Sequence, residues 1–244
     1  GAGRSNAFPA IINDATARKR LIDDLVSLCL TKKLSGIDYD YEQPTNPSLF
    51  GSYLLLISET RAAFSPHSLL LTVALHPGQY LPRPIYTEID AVHLMSYDLL
   101  FKKTIGHHAA LGTVARVVND FVSKGRAPRE KILMGIPAYA RHGANPGDVR
   151  SYSEIVDEVR KEHGRGNDDG GRLLEGLNEV KGFYFDGPTD VRRKVAWAKE
   201  QGLGGVFFWE IGQDSGIVEG GVLVSAAKEE SLKGAVGGGG GGEL

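Results

Sequence analysis

The sequence predicts an α/β fold in which buried parallel strands alternate with helices. Apolar runs of strand length recur along the chain, helical segments separate them, and most of the runs lack the polar alternation of a half-exposed strand. Such doubly buried strands are typical of parallel sheets that are covered by helices on their faces. Five strands are expected, at residues 34–42, 68–75, 89–98, 131–139 and 204–210.

Composition limits the function classes. The 244 residues are 41% apolar and 24% charged, with a formal net charge of -2. This length and composition predict one domain, over residues 1–234. The glycine-rich segment at 235–244 is expected to be a disordered tail. The charge balance argues against nucleic acid as a partner, and the chain has no apolar run long enough for a membrane span. The single cysteine, Cys29, excludes an internal disulfide and fits a core position.

Helices are expected between the strands. In the first, at 14–33, Asp14 is the cap, and the core face comprises Leu21, Ile22, Leu25 and Leu28. Asn46 and Pro47 begin a second helix that runs to Phe64. Ser151 and Glu154 form a capping box. Further helices are expected at 113–124, 151–163, 188–202 and 222–233, with a mobile loop at 164–171.

The first strand carries an unusual row of acids. Because side chains alternate along a strand, Asp38, Asp40 and Glu42 share one face, and Tyr39 and Tyr41 point the other way. Carboxylates this close repel, so at least one pKa is expected to rise, as a general acid requires. A solvated acidic edge strand is an alternative. A calcium or magnesium site is weaker, because ligands along one straight strand do not converge.

The spacing within this row restricts the catalytic roles that its carboxylates can have. Asp40 and Glu42 are separated by about 7 Å along a strand and approach a substrate from the same side. Ordinary glycosidases place their two carboxylates on opposite sides of the bond that is cut. A pair on one side supplies an acid and an orienting partner, so the nucleophile must come from elsewhere.

Other polar side chains lie near the carboxyl ends of later strands, where α/β barrels place their active sites. Parity puts His93, Met95 and Tyr97 on one face, with Asp98 at the strand end, although Met95 and Tyr97 also suit an ordinary core. Tyr139 and Arg141 follow the fourth strand, although a role of Arg141 in fixing the loop is an alternative. Trp209 near the end of the fifth strand suits either an ordinary core or stacking on a sugar ring.

The remaining histidines give weaker signals. His76, at the end of the second strand, is a weak candidate for catalysis. His107 and His108 are adjacent in a loop, but no third ligand stands at a useful spacing, so no metal is expected. No cofactor is expected either.

Four motifs in order make the chain resemble glycoside hydrolase family 18, the chitinase group. Residues 35–42 are similar to its Asp-x-x-Asp-x-Asp-x-Glu signature, with Ser35 at the first Asp position. Met95 to Asp98 resembles its Met-x-Tyr-Asp motif, and residues 135–141 resemble Gly-x-Pro followed by an aromatic and an arginine. Trp209 is similar to the tryptophan of its eighth strand.

The resemblance implies a role for each of these residues. Glu42 would be the proton donor, Asp40 would orient the 2-acetamido group of the sugar as it attacks its own anomeric carbon, and Asp38 would tune Asp40. Tyr97 would donate a hydrogen bond to the acetamido carbonyl, and Trp209 would form the floor of the subsite. The remaining substrate-binding residues would be Met95, Asp98, Tyr139 and Arg141.

The resemblance also implies a (β/α)8 TIM-barrel fold with a small insertion between strands seven and eight. Matching the motifs to strands four to eight leaves the first three strands as a missing N-terminal segment that would complete the barrel. The implied substrate is chitin or N-acetylglucosamine oligosaccharides, and the implied location is extracellular. A chitin-binding lectin without turnover and an endoglycosidase acting on protein-linked glycans are the alternatives.

Overall fold

The computed structural model describes residues 7–42, 46–99, 106–163, 174–216 and 220–233. The predicted loop at 164–171 and the tail at 235–244 lie outside the described residues. The helices are α1 Phe8–Asn13, α2 Ala15–Lys32, α3 Pro47–Phe64, α4 Leu111–Ser123, α5 Tyr152–His163, α6 Pro188–Glu200 and α7 Val222–Leu232. Short 3-10 helices span Ser65–His67, Arg83–Thr87, Arg129–Lys131 and Ile211–Gln213.

All five predicted strands are present, each shorter than expected at one or both ends. They are β1 Gly36–Tyr39, β2 Leu70–Leu75, β3 Ala91–Leu94, β4 Ile132–Pro137 and β9 Gly205–Trp209. Four further strands lie in sequence between β4 and β9, namely β5 Tyr139–His142, β6 Val149–Ser151, β7 Glu179–Val180 and β8 Phe183–Tyr184. The α/β class is therefore confirmed, and the added strands are the predicted insertion.

The chain divides into two compact units, one of residues 1–95 and 117–133 and the other of residues 96–116 and 134–244. In the first unit, β1 pairs with β2 and β2 with β3, both in parallel. The register sets Gly36 opposite Leu70. A Cβ on Gly36 would lie 2.0 Å from the Leu70 carbonyl oxygen, so only glycine permits this close approach of the two backbones.

The second unit contains the insertion, a four-stranded sheet in the order β6-β5-β8-β7 whose pairs are antiparallel. Its apolar core includes Tyr152 of α5, Phe185, Val191 of α6 and Leu223 of α7, all fully or almost fully buried. Of the helices in the described ranges, none is long and apolar enough to cross a membrane.

Local capping signals agree with the structure. The Asp14 side chain accepts a hydrogen bond from the Ala17 backbone N–H at 2.7 Å, and the Asn46 side chain accepts one from Leu49 at 2.9 Å. Ser151 and Glu154 form the expected reciprocal box. These caps explain why the starts of α2, α3 and α5 could be placed to within a residue.

The core face of α2 differs from the prediction. Leu28 was expected to be buried but is 43% exposed, whereas Arg18, Ile22 and Cys29 are the buried residues of this helix. Arg18 is buried because its guanidinium forms two hydrogen bonds to Glu59 of α3 and a third to the Ile12 carbonyl. Because each nitrogen of its guanidinium donates a hydrogen bond, Arg18 is buried at a position that the apolar pattern of the helix assigns to the solvent-exposed face.

Candidate active site

The acidic row begins on β1 but leaves it. The predicted strand over 34–42 ends at Tyr39, so Asp40, Tyr41 and Glu42 continue beyond its carboxyl end. Pairing with β2 stops at Tyr39 and Val73, the last pair of the register. The acids therefore stand at the edge where parallel strands of an α/β fold present their functional side chains.

The tyrosine side of the row anchors this segment. Tyr39 and Tyr41 are buried, and the Tyr39 hydroxyl is hydrogen-bonded to Thr60 at 2.8 Å. The Tyr41 ring packs edge-on against Phe8 at 4.9 Å and Tyr53 at 5.3 Å between ring centroids. The predicted parity is thus confirmed, since both tyrosines are buried and contact residues of α1 and α3, whereas Asp38 is exposed and Asp40 and Glu42 are partly buried.

Each acid has different surroundings. Asp38 Oδ1 accepts a hydrogen bond from the Thr72 hydroxyl at 2.6 Å and lies 2.8 Å from His93 Nδ1. Glu42 Oε2 lies 2.7 Å from His76 Nε2. Asp40 Oδ1 is buried and has no hydrogen-bond partner within the described part of the chain. Because buried polar atoms normally have a hydrogen-bond partner, the buried oxygen of Asp40 is expected to bond to a group other than these residues.

Charge crowding affects Asp40. Burial raises the pKa of the Asp40 carboxyl, and the neighbouring Glu42 and Asp38 carboxylates raise it further, whereas His76 acts in the opposite direction. The expectation that at least one acid of the row has a raised pKa is confirmed. Asp40 is consequently a carboxyl group that can hold a proton at a higher pH than an ordinary aspartate.

Met95 also belongs to the first unit. The residue is 9% exposed, and its backbone N–H donates to the Leu75 carbonyl at 3.0 Å, beside the end of β2. Met95 thus lies just past the end of β3, near the end of the neighbouring strand. Its predicted role in binding substrate stays a prediction.

In the second unit, Asp98 is the centre of a hydrogen-bonded group that contains two further candidate substrate-binding residues. The Arg141 guanidinium donates to both Asp98 carboxylate oxygens, and the Tyr139 hydroxyl donates to Oδ1 at 2.9 Å. His108 Nδ1 lies 3.1 Å from the same oxygen. Asp98 has a φ of 57°, a left-handed conformation that is uncommon outside glycine. The structure therefore brings together three residues, Asp98, Tyr139 and Arg141, that the sequence named separately as substrate-binding candidates; their role in binding stays a prediction.

Aromatic side chains adjoin this group. Tyr97 is buried and packs edge-on against Tyr139 and Phe207, at 6.2 Å between centroids in each case. Trp209, at the end of β9, is 50% exposed, and its carbonyl accepts a hydrogen bond from Ala138 at 2.8 Å. A large aromatic face that remains open at a strand end has the shape that stacking on a pyranose requires.

The ion pair between Asp98 and Arg141 should make the free energy of unfolding depend on pH. Burial alone would raise the pKa of Asp98, but the hydrogen bonds from His108 and Arg141 outweigh it and hold this pKa well below its usual range. The ion pair therefore stabilises the fold at pH values above the unfolded-state pKa of aspartate, and this contribution is lost as the pH falls towards the lower folded-state value.

We expect Arg141→Gln to lower the free energy of unfolding at pH 7 by about 1 kcal/mol or less, because the pair is partly exposed to solvent. The difference from the wild type should shrink at about pH 3, where unfolded aspartate is protonated. Urea unfolding at the two pH values measures it, with the exposed Arg20→Gln as control. An equal loss at both pH values would contradict the assignment.

His107, Asp186 and Asp190 have ligand atoms close enough together to suggest a metal site, but their contacts do not fit one. His107 Nε2 donates to the Phe185 carbonyl at 2.7 Å, and Nδ1 accepts from the Ala109 N–H at 3.0 Å, so no imidazole lone pair is available. The Lys194 ammonium occupies Asp186 in a fully buried ion pair. Burial and the Lys194 charge lower the pKa of His107, which Asp186 opposes. The cluster is structural.

Two residues that the sequence did not assign to the site contact the segment 38–42, which carries the three acids. His93 was placed only by parity and contacts Asp38, and Gln79 had no assignment and donates from Nε2 to the Tyr41 carbonyl at 3.1 Å. His76, a weak candidate in the sequence, contacts Glu42. All three follow or belong to β2 and β3, so the available signal was their position near the carboxyl ends of neighbouring strands.

The sequence resembles those of known proteins. The model of the family described as glycosyl hydrolases family 18 matches residues 1–214. An endochitinase of Brugia malayi is 27% identical over 86% of this chain and 51% of its own length. The chain spans between about half and two thirds of the length of the first curated relatives that it matches.

Solved structures also resemble this one. A family GH18 chitinase from Cycas revoluta, crystallised in complex with allosamidin, superposes with a TM-score of 0.76 at 26% identity, covering 94% of this chain and 78% of that one. The chitinase-like agglutinin RobpsCRA from Robinia pseudoacacia gives a TM-score of 0.73 at 25% identity, covering 95% of this chain and 79% of that one.

Proposed function

The chain belongs to glycosyl hydrolases family 18, and we propose that it hydrolyses β-1,4-linked N-acetylglucosamine polymers, chitin or chito-oligosaccharides, with retention at the anomeric carbon. The observation that carries the proposal is the acidic row. Asp38, Asp40 and Glu42 lie on the side opposite two buried tyrosines, and the pKa of Asp40 is raised.

In the proposed reaction, Glu42 gives its proton to the glycosidic oxygen as the bond from that oxygen to C1 breaks. The carbonyl oxygen of the substrate's own 2-acetamido group attacks C1 and forms an oxazolinium ion, so the sugar supplies the nucleophile. Glu42, now a carboxylate, takes a proton from the water that attacks C1. Two inversions at C1 give net retention.

Asp40 orients the acetamido group and stabilises the positive charge that develops on it. Its buried Oδ1, which lacks a partner among the described residues, is available to accept a hydrogen bond from the acetamido N–H. Asp38, held by Thr72 and His93, fixes a negative charge beside Asp40. Because burial and the neighbouring carboxylates raise its pKa, Asp40 can hold a proton and become an anion when the cation forms.

The remaining predicted residues take their proposed roles from the family motif. Tyr97 donates to the acetamido carbonyl, and Trp209 stacks on the sugar that is cut, which suits its half-exposed ring. Asp98, Tyr139 and Arg141 form one hydrogen-bonded group, which suits a preorganised surface for sugar hydroxyls. Met95 contributes to the pocket floor.

The proposal is tested by incubating the purified chain with chitotetraose and following products by chromatography, with the anomeric form of the fresh product read by proton NMR. Hydrolysis with an initial excess of the β-anomer is expected. The α-anomer would contradict the substrate-assisted mechanism. A panel that includes protein-linked N-glycans separates chitinase activity from the endoglycosidase alternative.

A lectin without turnover is the second candidate, and the similarity to a chitinase-like agglutinin favours considering it. Against it, the proton-donor position holds an intact glutamate, Glu42. Calorimetric binding of chitotetraose with no product over a long incubation would support the lectin, and absence of both binding and product would contradict both candidates.

A further inference from the structure

A tight turn follows β2, at residues His76, Pro77, Gly78 and Gln79. The Gln79 N–H donates to the His76 carbonyl at 3.0 Å, and Gly78 has a φ of 85°. Proline at the second position and a positive-φ glycine at the third are the signature of a type II turn. The sequence of this turn therefore fixes its backbone before any contact with the acidic row is considered.

The turn holds the acidic row at two points. Gln79 accepts a hydrogen bond from the His76 backbone N–H at 3.2 Å through Oε1, and its Nε2 donates to the Tyr41 carbonyl at 3.1 Å. The second point is Glu42, the residue after Tyr41, whose Oε2 lies 2.7 Å from His76 Nε2. A single side-chain amide thus links the backbone that carries His76 to the backbone that precedes Glu42.

The contact between His76 and Glu42 involves one oxygen of the Glu42 carboxyl group. Glu42 Oε1 makes no hydrogen bond within the described part of the chain, whereas Oε2 is bound by His76. The Glu42 side chain is 23% exposed and that of His76 is 41% exposed, so the pair remains open to solvent. The arrangement leaves one oxygen free for proton transfer while the other is tethered.

Tethering should assist the reaction because a free glutamate side chain samples several rotamers, of which few point an oxygen at the glycosidic bond. Misplacing a catalytic group by about 1 Å can cost about a hundredfold in rate. The Tyr41 ring, packed between Phe8 and Tyr53, fixes the backbone from the opposite side. Only the Glu42 side chain would then need a restraint, and His76 provides it.

We infer that His76 is a positioning residue for the proton donor Glu42, and that the Pro-Gly turn with Gln79 is the scaffold that holds it there. The inference rests on the proposed function of Glu42. A purely structural role would make His76 affect stability but not the chemical step, and this difference can be measured.

The experiment compares His76→Ala, His76→Gln and the wild type on a chromogenic chito-oligosaccharide. We expect His76→Ala to lower kcat about tenfold to a hundredfold while KM changes less than about twofold, since orientation in the chemical step is lost. His76→Gln should recover most of kcat, because its amide N–H can donate to the same oxygen. His67→Ala, an exposed histidine of the same unit, is the matched control. Thermal melts check that each variant is folded.

The outcomes separate the two ideas. If the wild type turns over substrate and His76→Ala keeps the wild-type kcat, the inference is overturned and the proposed function remains intact. The same holds if His76→Ala loses stability and activity in parallel and His76→Gln does not restore them. Absence of turnover in the wild type itself would instead contradict the proposed function.

Discussion

Glu42→Gln is expected to lower kcat by about a thousandfold with little change in KM, because the amide keeps the shape of the side chain but has no proton of suitable acidity to give to the leaving oxygen. The contact with His76 survives in part, since the amide oxygen can still be hydrogen-bonded. The measurement is steady-state hydrolysis of chitotetraose, with binding measured separately by calorimetry.

A matched control is Glu130→Gln, which removes an exposed acid from the short helix before β4. It should leave kcat and KM as they are in the wild type. Turnover by Glu42→Gln within about tenfold of the wild type would show that another group protonates the leaving oxygen.

Asp40→Asn is expected to lower kcat by about a hundredfold, since the charge that stabilises the oxazolinium ion is removed. At neutral pH the same variant should be more stable than the wild type. Because the folded-state pKa of Asp40 is raised, ionising this carboxyl costs stability as the pH rises above the unfolded-state value, and asparagine avoids that cost.

We expect the melting temperature of Asp40→Asn to exceed that of the wild type by about 2 °C at pH 7. The gain should vanish near pH 3, where both the folded and the unfolded wild type hold the proton. Thermal melts at the two pH values, combined with kinetics at pH 7, test the two effects in one variant. A loss of stability at pH 7, or unchanged turnover, would refute the role given to Asp40.

Much of the fold could be predicted because its signals are local. Caps at Asp14 and Asn46 act within four residues, and an apolar run such as that of β2 indicates a buried strand without knowledge of its neighbours. The parity of Tyr39 and Tyr41 against the acids was likewise predictable, because alternation depends only on the extended backbone.

The features that were missed depend on partners distant in sequence. The end of β1 at Tyr39 is set by the register with β2, since the alternating pattern continues to Glu42. Arg18 is buried only because Glu59 reaches it from α3, 41 residues away. The contacts of His76 with Glu42 and of His93 with Asp38 join segments that are distant in sequence and lie in or just after different strands, so only their placement near strand ends could be read from the sequence.

In the proposed mechanism the acids approach the glycosidic bond from one side, so that the acetamido group of the substrate must be the nucleophile. The most direct test compares kcat for 4-nitrophenyl β-glycosides of chitobiose and of cellobiose, which carries a hydroxyl in place of the acetamido group at C2. We expect kcat for the cellobioside to be lower by about a thousandfold or more, since an intramolecular nucleophile is lost. A kcat within about tenfold of the chitobioside would contradict it, because a residue of the protein would then be attacking the sugar.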